Sequence, residues 1–376
     1  MDKLFAFVVL LLTLQPAAAP ADDTALDHTQ ATSDSKEDLL WYDVARLGIE
    51  GKAWNKTKSK FDRLPARAEE TVRPPVWSLS RDSAGMAVRF KTDATRIAAR
   101  WKLISSGLAM PHMPATGVSG LDLYVKADDG RWHWLAVGRP TKFPENRATL
   151  ANGIPPGERE FILYLPLYNG VSSVEIGIAK DKTLKRLPRP AGSKPIVFYG
   201  TSITQGGCAS RPGMVYTAIL GRRLNHPVVN LGFSGNGRME KELAELMAEI
   251  DAAAYVIDCL PNIAAKEVAA RTEPLVHILR QAHPETPIML VEDRSYADSF
   301  LVTSKRQRNE SSREELRAAF KRLQKSGVKG LYYLAGEHLL GDDGEATVDS
   351  SHPTDLGFVR MADAFEPVLR KMLSSK

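Results

Sequence analysis

The sequence predicts an α/β fold built on a parallel sheet, preceded by a separate β-sandwich or jelly-roll domain. Short alternating runs, broken by Gly, Pro and Asn, fill residues 39–180, which is typical of an antiparallel β domain. From residue 195 to residue 376, apolar runs of strand length alternate with helix-like segments, which is typical of a parallel sheet. Between them, residues 181–194 are basic and contain Pro and Gly, so we expect an exposed linker.

The composition indicates a folded protein and argues against nucleic acid as its partner. The chain has 376 residues, of which 43% are hydrophobic and 25% are charged, and its formal net charge is +5. This apolar content excludes a wholly disordered protein. The positive excess is small for the length, and no Lys/Arg run is interleaved with aromatic residues, so we expect no nucleic-acid partner. The composition leaves the oligomeric state open.

The N-terminus has the organisation of a secretory signal. Lys3 precedes an apolar run at residues 4–14 that is too short to span a bilayer. Ala19-Pro20-Ala21 then fits an A-x-A cleavage site. Residues 1–21 are therefore predicted to be a signal peptide and the mature protein to be secreted or periplasmic, with an uncleaved anchor as the alternative. Residues 22–38 are polar, and we expect a flexible lead-in. No later apolar run reaches the ~20 residues of a membrane span, so no stable membrane insertion is expected.

Six strands are predicted in the first domain from apolar or alternating runs. They lie at residues 88–90, 97–101, 121–125, 132–137, 159–164 and 174–178. Asp128-Asp129-Gly130 indicates a hairpin turn between the third and the fourth. All six tryptophans lie in this half of the chain. An aromatic-rich sandwich could grip sugar rings, but filling the core is the more ordinary role of such side chains.

The second domain is predicted to have five strands with helices between them. The strands lie at residues 195–199, 228–231, 255–259, 288–291 and 330–334, and the helices at residues 213–225, 239–250 and 312–325, with another ending near residue 283 and one closing the chain. Pro274 is expected to kink or divide the helix that contains it. The alternation predicts a parallel sheet covered on both faces.

Residues of types that can take part in catalysis follow four of these strands. Ser202 follows the first strand, Gly235 the second and Asn262 the third, while Asp349 and His352 follow the fifth. Open α/β sheets bind ligands beyond the carboxyl ends of their strands, so we expect these residues to lie together.

The residue types suit acyl transfer. A serine hydroxyl becomes a nucleophile when a base takes its proton, and His352 can serve because imidazole titrates near neutral pH. Asp349 can orient the ring. The backbone N–H groups of Ser202 and Gly235 and the side-chain amide of Asn262 could form an oxyanion hole, in which one donor stabilises the transition state by about 3–4 kcal/mol.

Four sequence blocks resemble those of the SGNH (GDSL-like) hydrolases and occur in the family's order. They are GTSIT at residues 200–204, NLGFSGN at 230–236, DCLPN at 258–262 and DSSHP at 349–353. The resemblance covers residues 195–376 and implies a three-layer, flavodoxin-like fold with strand order 2-1-3-4-5. Upstream, GLDLY at residues 120–124 resembles the GxDLY signature of a β-rich domain found ahead of such catalytic domains.

Two positions depart from the family pattern without removing a candidate catalytic group. Thr201 stands where the GDSL motif has aspartate. Ile263 stands where many members have aspartate, and this second difference indicates a different local hydrogen bond. Taken singly, Ser202 could cap a helix and His352 could lie in a surface loop. Thr204 breaks the G-x-S-x-G pattern and argues against an α/β-hydrolase nucleophile elbow.

The sequence therefore predicts a secreted serine esterase that hydrolyses short acyl (acetyl) esters through an acyl-enzyme on Ser202. Family analogy points to carbohydrate esters as substrates. The alternatives are a lysophospholipase, thioesterase or acyltransferase of the same fold, and, in another class, a non-catalytic carbohydrate-binding protein.

Further residues are candidates for substrate contact or redox chemistry. His112, Arg211 and Arg294 could orient a substrate, although solvent or salt-bridge roles are the simpler interpretation. Cys208 and Cys259 could form a disulfide or stay as two buried thiols. The histidines show no metal-ligand spacing such as H-E-x-x-H, and two cysteines alone cannot make a four-ligand zinc site, so neither a metal nor a cofactor is expected.

Overall fold

The computed structural model describes residues 24–374, so the predicted signal peptide at residues 1–21 lies outside the described residues. Within them, an antiparallel β-sandwich precedes an α/β domain with a parallel sheet, and both parts of the predicted fold class are confirmed. No helix in this part of the chain has the length and apolarity needed to cross a membrane.

The sandwich is formed by two antiparallel sheets. Its strands are β1 (Thr32–Asp34), β2 (Leu39–Asp43), β3 (Ile49–Glu50), β4 (Ala87–Thr92), β5 (Arg96–Leu103), β6 (Leu121–Lys126), β7 (Trp132–Gly138), β8 (Glu145–Asn152), β9 (Arg159–Tyr164), β10 (Val171–Ala179) and β11 (Leu184–Arg186), with short helices α1 (Pro74–Ser80) and α2 (Ala115–Val118). One sheet has the order β1-β2-β10-β5-β8, and the other β11-β4-β9-β6-β7 with β3 beside β4. Alternating side chains from both sheets, such as Trp101 and Ile176 facing Phe90 and Leu163, share one buried core.

Two segments expected to lack regular structure extend these sheets. In the predicted lead-in, β1 pairs with β2, and in the predicted linker, β11 pairs with β4. Both are three-residue edge strands with mostly unburied side chains. Their order comes from backbone hydrogen bonds to an exposed sheet edge, which a side-chain pattern does not reveal.

The second domain is a five-stranded parallel sheet covered by helices on both faces. The strands are β12 (Ile196–Gly200), β13 (Val228–Gly232), β14 (Ala254–Asp258), β15 (Ile288–Val291) and β16 (Leu331–Leu334), and the helices are α3 (Ser202–Gln205), α4 (Tyr216–Leu224), α5 (Lys241–Met247), α6 (Ala265–Ala282), α7 (Thr303–Lys325) and α8 (Asp355–Ser374). The order β13-β12-β14-β15-β16 is the order 2-1-3-4-5 implied by the resemblance.

Two helices differ from the sequence prediction. Helix α6 continues through Pro274 rather than dividing there, because apolar side chains on both sides of the proline, Val268 and Leu275 among them, are buried in one core. Helix α7 begins at Thr303 rather than at residue 312. Its first turns bury polar residues such as Asn309, so this part of the helix has no apolar periodicity to detect.

The GxDLY segment joins the two domains. Leu121 and Leu123 point into the sandwich core, so the alternation of the strand turns Asp122 towards the second domain. The Asp122 carboxylate accepts hydrogen bonds from Arg211 Nη1 at 2.9 Å and Gly213 N at 2.8 Å. The Tyr124 ring stacks under the Arg222 guanidinium at 3.9 Å. The signature thus encodes a core face and an interface face on one strand.

The tryptophans have three different environments. Trp41 and Trp101 are buried within the sandwich, as expected of core residues. Trp54 and Trp77 instead pack against the core of the second domain. Trp134 is 49% exposed. The core-filling interpretation therefore holds for only some of these side chains.

Candidate active site

Ser202 lies where strand β12 turns into the one-turn helix α3. The Thr201 hydroxyl accepts from Ile203 N at 3.3 Å and caps this turn, so Ser202 is its first helical residue rather than its cap. A Cβ atom on Gly200 would lie 2.0 Å from Thr204 Oγ1, and only glycine fits this tight exit from the strand. The threonine at the family's aspartate position therefore serves as the N-cap of this turn.

The structure brings Ser202, His352 and Asp349 into one chain of hydrogen bonds. Ser202 Oγ lies 2.8 Å from His352 Nε2, and His352 Nδ1 lies 2.7 Å from Asp349 Oδ2. The other carboxylate oxygen accepts from His352 N at 2.8 Å and Ser351 N at 3.1 Å. This arrangement lets the imidazole accept a proton from the hydroxyl while the carboxylate stabilises the imidazolium.

The electrostatics of Asp349 fit an ionised group. Partial burial raises the pKa of this carboxyl, but hydrogen bonds from the backbone and ring of His352 outweigh that effect, and the net pKa lies below its usual value. Asp349 therefore carries a negative charge near neutral pH. This charge lies next to His352 Nδ1 and would stabilise the protonated ring.

The predicted oxyanion donors lie in the neighbouring loops. Gly235 has φ +67°, with no atom within 4 Å of a Cβ built on it. The loop thus adopts a left-handed turn that favours glycine and opens towards solvent. Asn262 Oδ1 accepts from Gly237 N at 3.1 Å, which orients the amide and leaves its Nδ2 protons available for an incoming oxygen. A Cβ on Gly237 would lie 2.0 Å from Gly200 O, so the loop crosses directly against the end of β12.

A largely buried network of side chains from both domains supports the loop at residues 233–237, called the glycine loop below. Gln205 Oε1 accepts from Ser234 N at 3.0 Å, directly before Gly235. Gln205 Nε2 donates to Asp82 Oδ2 at 3.0 Å. Arg63, 2% exposed, donates to Gly232 O at 2.6 Å and fixes the start of the loop. The roles of these residues could not be predicted from the sequence because single polar residues carry no local pattern.

Burial shapes the charges in this network. It raises the pKa of Asp82 to about 7, against the opposing effects of the Arg63 charge and the Gln205 hydrogen bond. Burial also lowers the pKa of Arg63 to about 10. Both side chains lie where the two domains meet, Arg63 against Gly232 and Asp82 against Gln205.

Two more residues of the first domain lie against Ser202 and His352. Tyr168 Oη donates to Ser202 O at 3.1 Å. The exposed His112 ring lies edge-on to the His352 ring, with a centroid distance of 5.8 Å. The first domain therefore forms part of the wall around the site.

The other sequence candidates have structural partners. Arg211 forms an ion pair with Asp122. Arg294 is 2% exposed, and its Nη2 lies 3.1 Å from Asp293 Oδ1. The simpler interpretation, a salt bridge, therefore holds for both arginines. Cys208 and Cys259 are buried free thiols, and no disulfide joins them.

Comparison with known proteins identifies the family. A model of the GDSL-like lipase/acylhydrolase family matches residues 193–370. A second model, GxDLY, described as the N-terminus of SGNH-hydrolase-type esterases, matches residues 39–184. No curated protein matches the sequence significantly.

Several solved structures share the two-domain arrangement. A protein from Bacteroides ovatus described as a GDSL-like lipase is 38% identical, with a TM-score of 0.84 over 90% of this chain and 99% of that one. A salicylyl-acyltransferase from a tetracycline biosynthetic pathway is 18% identical, with a TM-score of 0.69 over 94% of this chain and 98% of that one. A family two carbohydrate esterase from Clostridium thermocellum is 15% identical, with a TM-score of 0.54 over 77% of this chain and 93% of that one.

The similarity at 38% identity extends across both domains, whereas the more distant neighbours show the fold alone. The chain belongs to the GDSL-like lipase/acylhydrolase (SGNH hydrolase) family, with a GxDLY-type N-terminal domain, and is a hydrolase that acts on ester bonds.

Proposed function

We propose that this hydrolase is a secreted serine esterase that removes short acyl groups, acetyl above all, from carbohydrates. The observation that carries the proposal is the hydrogen-bonded chain from Ser202 Oγ through His352 to Asp349. A hydroxyl, an imidazole and a carboxylate in this order form the arrangement that activates serine for acyl transfer.

In the proposed mechanism, Ser202 Oγ attacks the ester carbonyl carbon while His352 Nε2 takes the hydroxyl proton. The oxyanion forms within reach of the N–H groups of Ser202 and Gly235 and of the Asn262 amide. The bond to the leaving alcohol then breaks as His352 returns its proton to the alcohol oxygen. A water molecule, deprotonated by His352, attacks the acyl-enzyme and frees the acid and Ser202.

The carbohydrate substrate is supported by two structural neighbours. The Clostridium thermocellum esterase was crystallised with cellohexaose. An acetyl xylan esterase from Butyrivibrio proteoclasticus is 12% identical, with a TM-score of 0.51 over 89% of this chain and 98% of that one. These proteins supply an analogy of fold, so the acyl group and the sugar need a direct test. Secretion is supported by the sequence of residues 1–21.

The test measures acetate release from a panel of acetylated glycans and turnover of a chromogenic acetate ester. We expect Ser202→Ala to lower kcat at least about 10³-fold while the melting temperature stays within a few degrees. Unchanged turnover in this variant would refute the assignment of Ser202.

Two further measurements separate the alternatives. Turnover of one leaving group with short and long acyl chains distinguishes a short-chain esterase from a lysophospholipase or thioesterase, and an alcohol acceptor that outcompetes water would indicate an acyltransferase. A fluorophosphonate probe should label the wild-type chain at Ser202. A binding protein without catalytic function would not be labelled.

A further inference from the structure

Three side chains able to bind a metal ion converge beside the candidate nucleophile. One ligand atom from each of His112, Cys208 and His352 lies within 4.8 Å of the other two. His112 belongs to the first domain, Cys208 follows α3, and His352 precedes α8. Their wide separation in the sequence explains why no metal-ligand spacing could be detected there.

Hydrogen bonds hold the three segments that carry these side chains next to one another. Thr116 Oγ1 donates to Ser210 O at 2.6 Å, which joins the His112 segment to the Cys208 segment. Ser210 N donates to Asp355 Oδ1 at 2.9 Å, which joins the Cys208 segment to the residues that follow His352. A Cβ on Gly117 would lie 2.2 Å from Ala209 O, so the first two segments are in direct backbone contact.

The His112 segment is itself anchored. Met110 and Met113 exchange backbone hydrogen bonds of 3.0 and 3.1 Å, and Met113 is 1% exposed. His112 therefore sits at the tip of a short, anchored turn, with its own ring exposed to solvent. A cation can reach the cluster from this side.

The donor set selects a class of cation. Two imidazoles and a thiolate suit borderline or soft ions such as Zn²⁺, Cd²⁺ and Co²⁺, whereas Mg²⁺ and Ca²⁺ prefer oxygen. Zinc bonds of about 2.0–2.3 Å place tetrahedral ligands roughly 3.3–3.6 Å apart. The three ligand atoms already lie within 4.8 Å of one another. Small side-chain rotations, which an exposed histidine makes readily, can therefore bring them to the spacing that zinc requires.

We propose that His112, Cys208 and His352 form an inhibitory binding site for a thiophilic divalent cation, with Zn²⁺ as the reference ion. On binding, Cys208 releases its proton to solvent and coordinates as a thiolate, and water completes the coordination shell. The cation takes up a lone pair of His352, so the imidazole can no longer accept the proton of Ser202. The binding part stands without the proposed esterase activity, and the inhibitory part rests on it.

Binding is tested first in the Ser202→Ala variant, so that the result does not depend on turnover. Titration with Co²⁺ should give one site per chain with a sulfur-to-cobalt charge-transfer absorption, and calorimetry with Zn²⁺ should give the same stoichiometry. Adding Cys208→Ser should abolish the absorption band, and adding His112→Ala should weaken Zn²⁺ binding at least about tenfold.

The controls isolate the cluster. His277 is an exposed histidine on α6, and His277→Ala should bind Zn²⁺ as tightly as the parent. Mg²⁺ and Ca²⁺ should give no heat of one-site binding. Cys208→Ala provides a second thiol variant in case the serine variant does not fold. Equal Zn²⁺ affinity in the parent, the His112 variant and a folded Cys208 variant would overturn the proposal.

Inhibition is tested in the otherwise wild-type chain with the chromogenic acetate ester. Zn²⁺ should inhibit reversibly, with recovery on adding EDTA, and the inhibition constant should rise at least about tenfold in His112→Ala and in Cys208→Ser. If the wild-type chain hydrolyses the ester but Zn²⁺ at saturating occupancy does not inhibit, the inhibitory site is refuted. If Zn²⁺ binds through the cluster but no ester is cleaved, the proposed function fails and the binding site remains.

Discussion

The Asp82 carboxyl group lies between the two domains, and its ionisation acts against folding. Burial raises its pKa to about 7, whereas an unfolded aspartate titrates near 3.9. The folded state therefore holds the proton more tightly than the unfolded state. Its contribution to stability is complete below about pH 4 and is lost as the pH rises through 7.

Asp82→Asn removes this titration while keeping an oxygen that can accept from Gln205 Nε2. We expect the free energy of unfolding of the variant, relative to wild type, to increase between pH 4.5 and pH 8 by on the order of 1–2 kcal/mol. Urea unfolding at the two pH values measures the difference. Asp128→Asn, in the exposed hairpin turn, is the control and should follow wild type. A parallel pH dependence in Asp82→Asn and wild type would contradict the assignment.

Asp349 offers a second test on a single residue. Its carboxylate orients the His352 ring through Nδ1 and also accepts from two backbone N–H groups. Asp349→Asn keeps the size but presents an amide that can hold the wrong tautomer of the ring. We expect kcat for the acetate ester to fall by about 10³–10⁴-fold with a small change in KM. A kcat within threefold of wild type would show that the carboxylate does not take part.

Among the elements, the glycine loop after β13 depends on a contact made by α3. Gln205, the last residue of α3, accepts from Ser234 N and donates to Asp82 and Leu167 O. The side chain thereby fixes the direction of the Gly235 peptide, which is a candidate oxyanion donor. A small tilt of that donor weakens transition-state binding more than substrate binding.

Gln205→Met keeps the length of the side chain and removes its polar end. We expect kcat to fall about 10–100-fold with KM little changed, together with a loss of about 1–3 kcal/mol from the unsatisfied Ser234 and Asp82 groups. Steady-state kinetics and urea unfolding measure the two effects. Gln281→Met, at an exposed position of α6, should change neither. A variant that loses stability while kcat stays at the wild-type value would show that Gln205 has no positioning role.

The elements also show what the sequence could and could not reveal. Strands of the parallel sheet were predictable because they are short apolar runs, and Ser202 and His352 because each follows such a run. Edge strand β11 was missed because its order comes from backbone pairing. The start of α7 was missed because its first turns bury polar residues such as Asn309, which donates to Asp293 Oδ2.

The side chains that support the candidate site could not be predicted from the sequence, for a different reason. Arg63 and Gly232 are 169 positions apart in the sequence, and Asp82 and Gln205 are 123 apart. Such contacts follow from how the two domains pack, and no local period or spacing encodes them. His112 could be named from the sequence only as a candidate for orienting a substrate, and its position against His352 likewise depends on domain packing.

At the scale of the whole molecule, side chains of both domains contribute to the candidate site. In the first domain, Arg63 and Asp82 support the glycine loop, Tyr168 contacts the turn that carries Ser202, and His112 forms part of the wall of the site. The interface is therefore expected to affect both stability and the geometry of the site. Asp122 is the most direct place to test it, because its carboxylate is fully buried and holds groups from both domains.

The coupling between Asp122 and Arg211 can be measured with a double-mutant cycle. Asp122→Asn leaves the largely buried Arg211 guanidinium without its counter-charge, and Arg211→Met leaves the Asp122 carboxylate without its own. Each single variant is expected to lose about 3–5 kcal/mol, and the double variant clearly less than the sum, because no unpaired charge then remains. Urea unfolding of the four proteins gives the coupling energy. Arg67→Ala, which removes an exposed interdomain ion pair to Glu249, should cost no more than about 1 kcal/mol. Additive losses at Asp122 and Arg211 would mean that the GxDLY aspartate does not join the domains through this ion pair.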